Sequence, residues 1–169
     1  MAQPLLRILQ GSMDGMSSTV LTVTDLTTAS YKLVGFAVLV AGPPQGEVIL
    51  VSTYGGGGGR RTEPPSDRPG VAGWRRRIEA RLRREGQLLE RQRQWCADRG
   101  VRCRAELFEE GLWPEFVIQS AERSRADLIM VGVQLLAESG EIPPGEMRIL
   151  AQDAPCPVSL VCLPQLSVF

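Results

Sequence analysis

Five short stretches of the chain carry strand-like apolar patterns, each closed by a glycine, a proline or a polar residue. The plainest is Leu128-Ile129-Met130-Val131, which stops abruptly at Gly132. A continuous apolar run of that length reads as a parallel strand buried on both faces. Thr19 to Thr24 is rich in β-branched residues and reads as the first strand, with Asp25 at its end. Glu47 to Ser52, centred on Val48-Ile49-Leu50-Val51, reads as the second. Val101 to Leu107 alternates and reads as the third; Val158 to Leu163, ended by Pro164, reads as the last.

Helical patterns fill the spaces between these runs. Thr27 or Thr28 caps a helix reaching about Ala41, where Gly42-Pro43-Pro44 stops it. That helix is apolar almost all round, so most of it is expected to be covered. Ala72 to Arg99 reads as a long helix with Trp74, Ile78 and Leu82 on one face, continued by Leu89 and Cys96. Its remaining surface is arginine-rich (Arg75, Arg76, Arg77, Arg81, Arg83, Arg84), and Gly100 ends it as a C′ glycine. Gly111-Leu112-Trp113-Pro114 leads into a helix whose Phe116, Val117, Ile118 and Ala121 face the sheet. A last helix runs from Gly145 to about Asp153 and is broken by Ala154-Pro155-Cys156-Pro157.

Strand and helix therefore alternate. The fold class that follows is α/β, an open five-stranded parallel sheet flanked by helices on both faces, Rossmann-like in architecture. Residues 1–18, with Leu5-Leu6-Arg7-Ile8-Leu9, form an N-terminal extension; 19–164 form the domain; 165–169 are a C-terminal tail. The stretch 54–70 is rich in glycine, proline and arginine, buries too little apolar surface to fold alone, and is expected to be a flexible insert. Its Gly55 to Gly59 run is not a phosphate loop, because Arg60-Arg61 stands where Lys-Ser/Thr is needed and no helix follows at once.

Composition narrows the chemistry. Formal net charge is zero over 169 residues, so nothing global points to nucleic acid. Lys32 is the only lysine, which makes the arginine bias a matter of codon usage rather than of function. The arginine-rich helix reads as a solvated outer face. Histidine is absent, which removes the commonest general base and metal ligand together. Of the cysteines, Cys96, Cys103 and Cys162 sit in helix or strand positions and Cys156 between two prolines; none forms a C-x-x-C pair, and they read as structural thiols. No metal site and no catalytic residue is expected. No stretch is long and apolar enough to span a bilayer, and residues 1–7 lack the pattern of a secretion signal, so the reading is cytoplasmic without membrane insertion.

In open α/β sheets, ligands sit at the carboxyl edge of the strands, at the topological switch point. Gly132 is such a strand exit, and Pro143-Pro144-Gly145-Glu146 opens the next helix, where free amides attract an anion.

The chain resembles a universal stress protein domain of the UspA-like kind. Val23-Thr24-Asp25 stands where that family has an aspartate ending its first strand, and Glu47 to Val51 resembles its second strand. Ala126-Asp127-Leu128-Ile129-Met130-Val131-Gly132 is close to its "ADLIVMG" signature, and Ala154-Pro155-Cys156-Pro157-Val158 to its "APCPV" lead into the last strand. The resemblance covers Thr19 to Leu163 and implies an adenine nucleotide alpha hydrolase-like fold. Nucleotide-binding members carry G-x2-G-x9-G-[ST] after the fourth strand. Carried over, Gly132 and Gly145 keep the outer glycines, but Leu135 replaces the middle one and Glu146 the hydroxyl. Leu135 puts a side chain where backbone should approach a phosphate. Glu146 places a carboxylate on the helix dipole, where one like-charge contact near a surface costs about 1–4 kcal/mol. The adenine end is better kept: Asp25, beside Thr24, matches the residue that contacts the base, and Thr53 stands where the second strand offers it backbone.

The resemblance thus implies a homodimeric regulatory or sensor domain that is not an enzyme, with weakened or lost ATP binding and AMP or another adenine nucleotide as the ligand retained. Dimers would form through the last strand, by Val158, Leu160 and Cys162. Two alternatives stand beside it: a cytoplasmic domain of a membrane transporter sensing AMP, adenosine or a cyclic dinucleotide, and an ATP binder with a rearranged phosphate loop. A regulatory protein or a transporter is the further partner these readings imply; nucleic acid is not.

Overall fold

Residues 18–24, 26, 30–54, 71–109, 113–132 and 144–161 are described by the structure, a computed structural model. Five strands, β1 (Thr19–Val23), β2 (Glu47–Tyr54), β3 (Arg102–Glu109), β4 (Leu128–Gly132) and β5 (Val158–Val161), pair in the order β3-β2-β1-β4-β5. Every pairing is parallel. The helices are α1 (Ser30–Ala41), α2 (Val71–Ala97), α3 (Trp113–Ser124) and α4 (Pro144–Asp153). The expected sheet and its helices are therefore present.

Strand alternation sorts the core into two layers. Val20, Val48, Leu50 and Met130 point to one face and pack with Leu33, Val34, Ala37 and Val38 of α1 and Leu89 and Cys96 of α2. Leu21, Ile49, Val51, Ile129 and Val131 point to the other and pack with Val117 and Ala121 of α3 and Leu150 of α4. The chain steps from β1 to β2 to β3 in one direction, then returns past β1 to β4 and β5. Keeping parallel crossovers right-handed through that reversal requires helices on opposite faces, which is what the two layers show.

Helix ends follow their local chemistry. After α2, the Gly100 amide donates to the Ala97 carbonyl at 2.9 Å and the Val101 amide to the Cys96 carbonyl at 3.3 Å, with Gly100 at φ +76°. This is a Schellman motif with glycine at C′, as expected from the sequence. After α3 the same motif recurs with Arg125 at C′: its amide reaches Glu122, the Ala126 amide reaches Ala121, and Arg125 sits at φ 52°.

One burial expectation holds in the main and one needs correction. The first helix is mostly covered, with Ser30, Leu33, Val34, Ala37, Val38 and Ala41 buried, but Phe36 is 50% and Leu39 67% exposed. Only the sheet and α2 pack on it, so the third side of an all-round apolar helix has no neighbour among the described residues. On α2 the expected stripe holds at Leu89 and Cys96 but not at Leu82, which is 37% exposed. The buried seam instead runs Leu89, Gln92, Cys96 at helical spacing. The side chains of Trp74 and Ile78, the rest of the expected stripe, lie outside the described residues.

Candidate functional site

The reversal of strand order lies between β1 and β4. Their register runs from Val20 opposite Leu128 to Val23 opposite Val131, so one further residue sets Thr24 beside Gly132. Both strands end there, at the carboxyl edge. Because β4 and β5 are parallel, α4 must run back between them, and its first residues, Pro144, Gly145 and Glu146, start from the same edge. Proline at the first helical position fits the start, since its missing N–H would have had no partner. Glu146 occupies the third helical position, where a carboxylate complements the dipole.

Thr24 shapes the edge on the other side. Its amide donates to the Val51 carbonyl at 2.8 Å, prolonging the β1–β2 ladder by one bond. In a parallel ladder the next donor on β1 would be the Leu26 amide, aimed at the Thr53 carbonyl. It goes elsewhere: the Leu26 N–H donates to the Thr24 hydroxyl at 3.1 Å, with Leu26 held at φ 63°. This side-chain turn ends the strand and withholds that donor from Thr53. Thr53 remains paired to Phe108 of β3, so its backbone stays in strand geometry. Among the described residues, no β1 donor continues the ladder to the Thr53 carbonyl.

The Thr24 hydroxyl itself is turned into the protein. It is 2% exposed and donates to Oε1 of Gln92, on α2, at 3.0 Å. Gln92 Nε2 in turn donates to the Ser30 hydroxyl at 2.9 Å, at the first residue of α1. Gln92 was absent from the sequence reading; the only signal for it was a glutamine at a seam position of an otherwise apolar helix stripe.

The structure thus brings Thr24, the Thr53 backbone, Gly132, Gly145 and Glu146 to one edge. Asp25 and Leu135, as well as Cys162 of the expected dimer strand, lie outside the described residues, as do the stretches 1–17 and 55–70. A surface groove of about 780 Å³ lies elsewhere, lined by Leu82, Arg83, Gly86, Gln87, Glu90, Arg91 and Leu107 between α2 and β3. It is wide open, and the strand ends are absent from its lining.

Burial, and then the nearby Asp127 carboxylate, pushes the Cys156 thiol up. Cys103 is pushed up by its hydrogen bond with Cys96 and by burial, while Cys96, fully buried, is lowered by the same bond. Among the described residues no cluster of acidic, cysteine or histidine side chains is placed to hold a metal ion, and no helix is long and apolar enough to cross a membrane.

No protein-family model matches the chain, and neither does any curated protein. Solved structures do match. UspA, the universal stress protein from Lactobacillus plantarum, is 15% identical with a TM-score of 0.63, covering 88% of this chain and 99% of its own. The universal stress protein from Archaeoglobus fulgidus in complex with dAMP is 18% identical with a TM-score of 0.54, covering 88% and 98%. A universal stress protein family protein from Arabidopsis thaliana, with AMP bound, is 16% identical with a TM-score of 0.55, covering 87% and 92%. At these identities the likeness is one of fold: the chain has the UspA-like, Rossmann-like α/β fold of universal stress proteins.

Proposed function

We propose that the chain is a regulatory sensor domain that binds an adenosine monophosphate or nucleoside at the β1/β4 switch point and discriminates against ATP. The observation that carries this reading is the turn at Thr24, which closes β1 and leaves the Thr53 carbonyl facing the edge without its ladder donor. An adenine amino group is a donor of the kind that carbonyl lacks among the described residues. Asp25, one residue on, would hold the base or ribose, and Gly132 would let the ligand lie close to backbone. Similar folds with AMP and with dAMP bound support adenine ligands of few phosphates.

Against phosphates stand two residues. Glu146, in the first turn of α4, occupies the helix dipole with its own charge. Leu135 stands in the sequence where the resemblance has a phosphate-approaching glycine. With no histidine in the chain to act as base, we assign no catalytic step and read the protein as a non-enzyme. We further propose a homodimer through β5. It is an edge strand, Leu160 on it is 50% exposed, and Val158 is half-buried beside it. An apolar edge strand calls for such cover.

Calorimetric and thermal-shift titration with ATP, ADP, AMP, adenosine and cyclic dinucleotides, with and without magnesium, tests the reading. AMP or adenosine raises the melting point by mass action and ATP does so less. The double variant Leu135→Gly/Glu146→Ser then gains affinity for ATP. Micromolar ATP binding by the unaltered protein overturns the discrimination; a tight dimer that binds none of these ligands overturns the sensor reading.

A further inference from the structure

Gln92 is 1% exposed in the seam that α2 presses onto the sheet, between Leu89 and Cys96. An amide so far from water is costly unless both its ends are bonded. Here both are: Oε1 accepts from Thr24 and Nε2 donates to Ser30. These partners are 68 and 62 residues away in sequence, and they stand at the two ends of one connection, the end of β1 and the start of α1. Thr24 and Ser30 are themselves 2% and 1% exposed. One side chain from a third element therefore ties the end of β1 to the start of α1.

An apolar residue at 92 would continue the seam, and replacing a bonded polar group by a shape-matched apolar one is often neutral for stability. What the amide adds is position. With the Thr24 proton committed to Gln92, the Thr24 oxygen is left to accept the Leu26 amide, which is the bond that turns the chain away from Thr53.

We propose that Gln92 is a positioning residue for the Thr24–Leu26 turn that closes β1, and that the seating of α2 on the sheet is thereby coupled to ligand affinity at the switch point. The ligand part rests on the functional reading above. Coupling of this kind is reciprocal: whatever shifts α2 alters the turn, and a ligand that contacts the turn steadies α2.

The test is Gln92→Leu in the full chain, read by amide hydrogen exchange over residues 24–30, by the melting point and by AMP titration. Exchange at Leu26 speeds up while the melting point stays close to that of the unaltered protein. If the competent arrangement drops to about a tenth of molecules, AMP affinity falls about tenfold. Thr24→Val reproduces the loss and Thr24→Ser does not, since only the hydroxyl matters. A Gln92→Leu protein with unchanged exchange over 24–30 and unchanged AMP affinity overturns the proposal. If the unaltered protein binds no adenine ligand, the functional reading falls, and the exchange rates alone still decide whether Gln92 sets the turn.

Discussion

Thr19 and Asp127 hold each other by two hydrogen bonds: the Thr19 amide donates to Asp127 Oδ2 at 2.8 Å, and the Asp127 amide donates to the Thr19 carbonyl at 2.8 Å. They form the rung below Val20 and Leu128, at the amino end of the β1–β4 pairing. Register in a sheet propagates, since a slip of one residue would reverse every side chain. This clamp therefore also decides what meets at the opposite end, where Thr24 comes beside Gly132.

Asp127→Ala keeps the backbone bond and loses the side-chain one. The expected cost is about 1 kcal/mol, a melting point lower by roughly 2–4 °C for a chain of this size. Differential scanning calorimetry measures it. An unchanged melting point would show that backbone pairing alone fixes the register.

Thr22 lies in the centre of β1, fully buried, between Leu50 and Met130 of the neighbouring strands. Its hydroxyl has no hydrogen-bond partner among the described residues. Thr22→Val keeps the shape and removes the stranded hydroxyl, so stability rises by about 1 kcal/mol. A urea midpoint that falls would mean the hydroxyl is satisfied in solution.

Arg125 occupies the left-handed C′ position of α3 that Gly100 fills after α2. A side chain there costs about 1–2 kcal/mol, partly offset because glycine loosens the unfolded chain by roughly 0.5–1 kcal/mol. Arg125→Gly therefore stabilises by about 0.5–1 kcal/mol, read from urea unfolding. Gly100→Ala, the reverse exchange, destabilises.

Cys156 has its thiol pushed up by burial and by the Asp127 charge. The folded state then keeps a proton that the unfolded chain releases above about pH 8.5. Its contribution to stability is complete below that pH and is lost as pH rises further. Alkylation at pH 8 should be slower in the folded protein than in urea, and Cys156→Ala should flatten the alkaline fall in stability. Equal alkylation rates in both states would contradict the assignment.

The element order was legible because the apolar periods are clean. Ile129 to Val131 is buried on both faces as its unbroken run required, with Leu128 partly buried at its start, and Val117 and Ala121 face the sheet as their spacing required. The Schellman end at Gly100 was legible from one residue, since glycine tolerates the left-handed conformation. The same end at Arg125 was not, because arginine gives no local sign of a left-handed residue. Of the candidate site, Thr24, Thr53, Gly132, Gly145 and Glu146 share the strand-end edge; Asp25 and Leu135 stand in sequence within it but outside the described residues.

Hydrophobic period tells each segment which face to bury, and that determined strand, helix and parallel order from sequence alone. It says nothing about which buried polar group finds which partner. Exposure of Phe36 and Leu39 on a helix apolar all round depended on how many neighbours pack against it. Gln92 became the residue that ties Thr24 to Ser30 only once α2 lay across the end of β1 and the start of α1. A hydrogen bond depends on distance and angle to one atom, and over more than sixty residues of chain only the tertiary fold sets those.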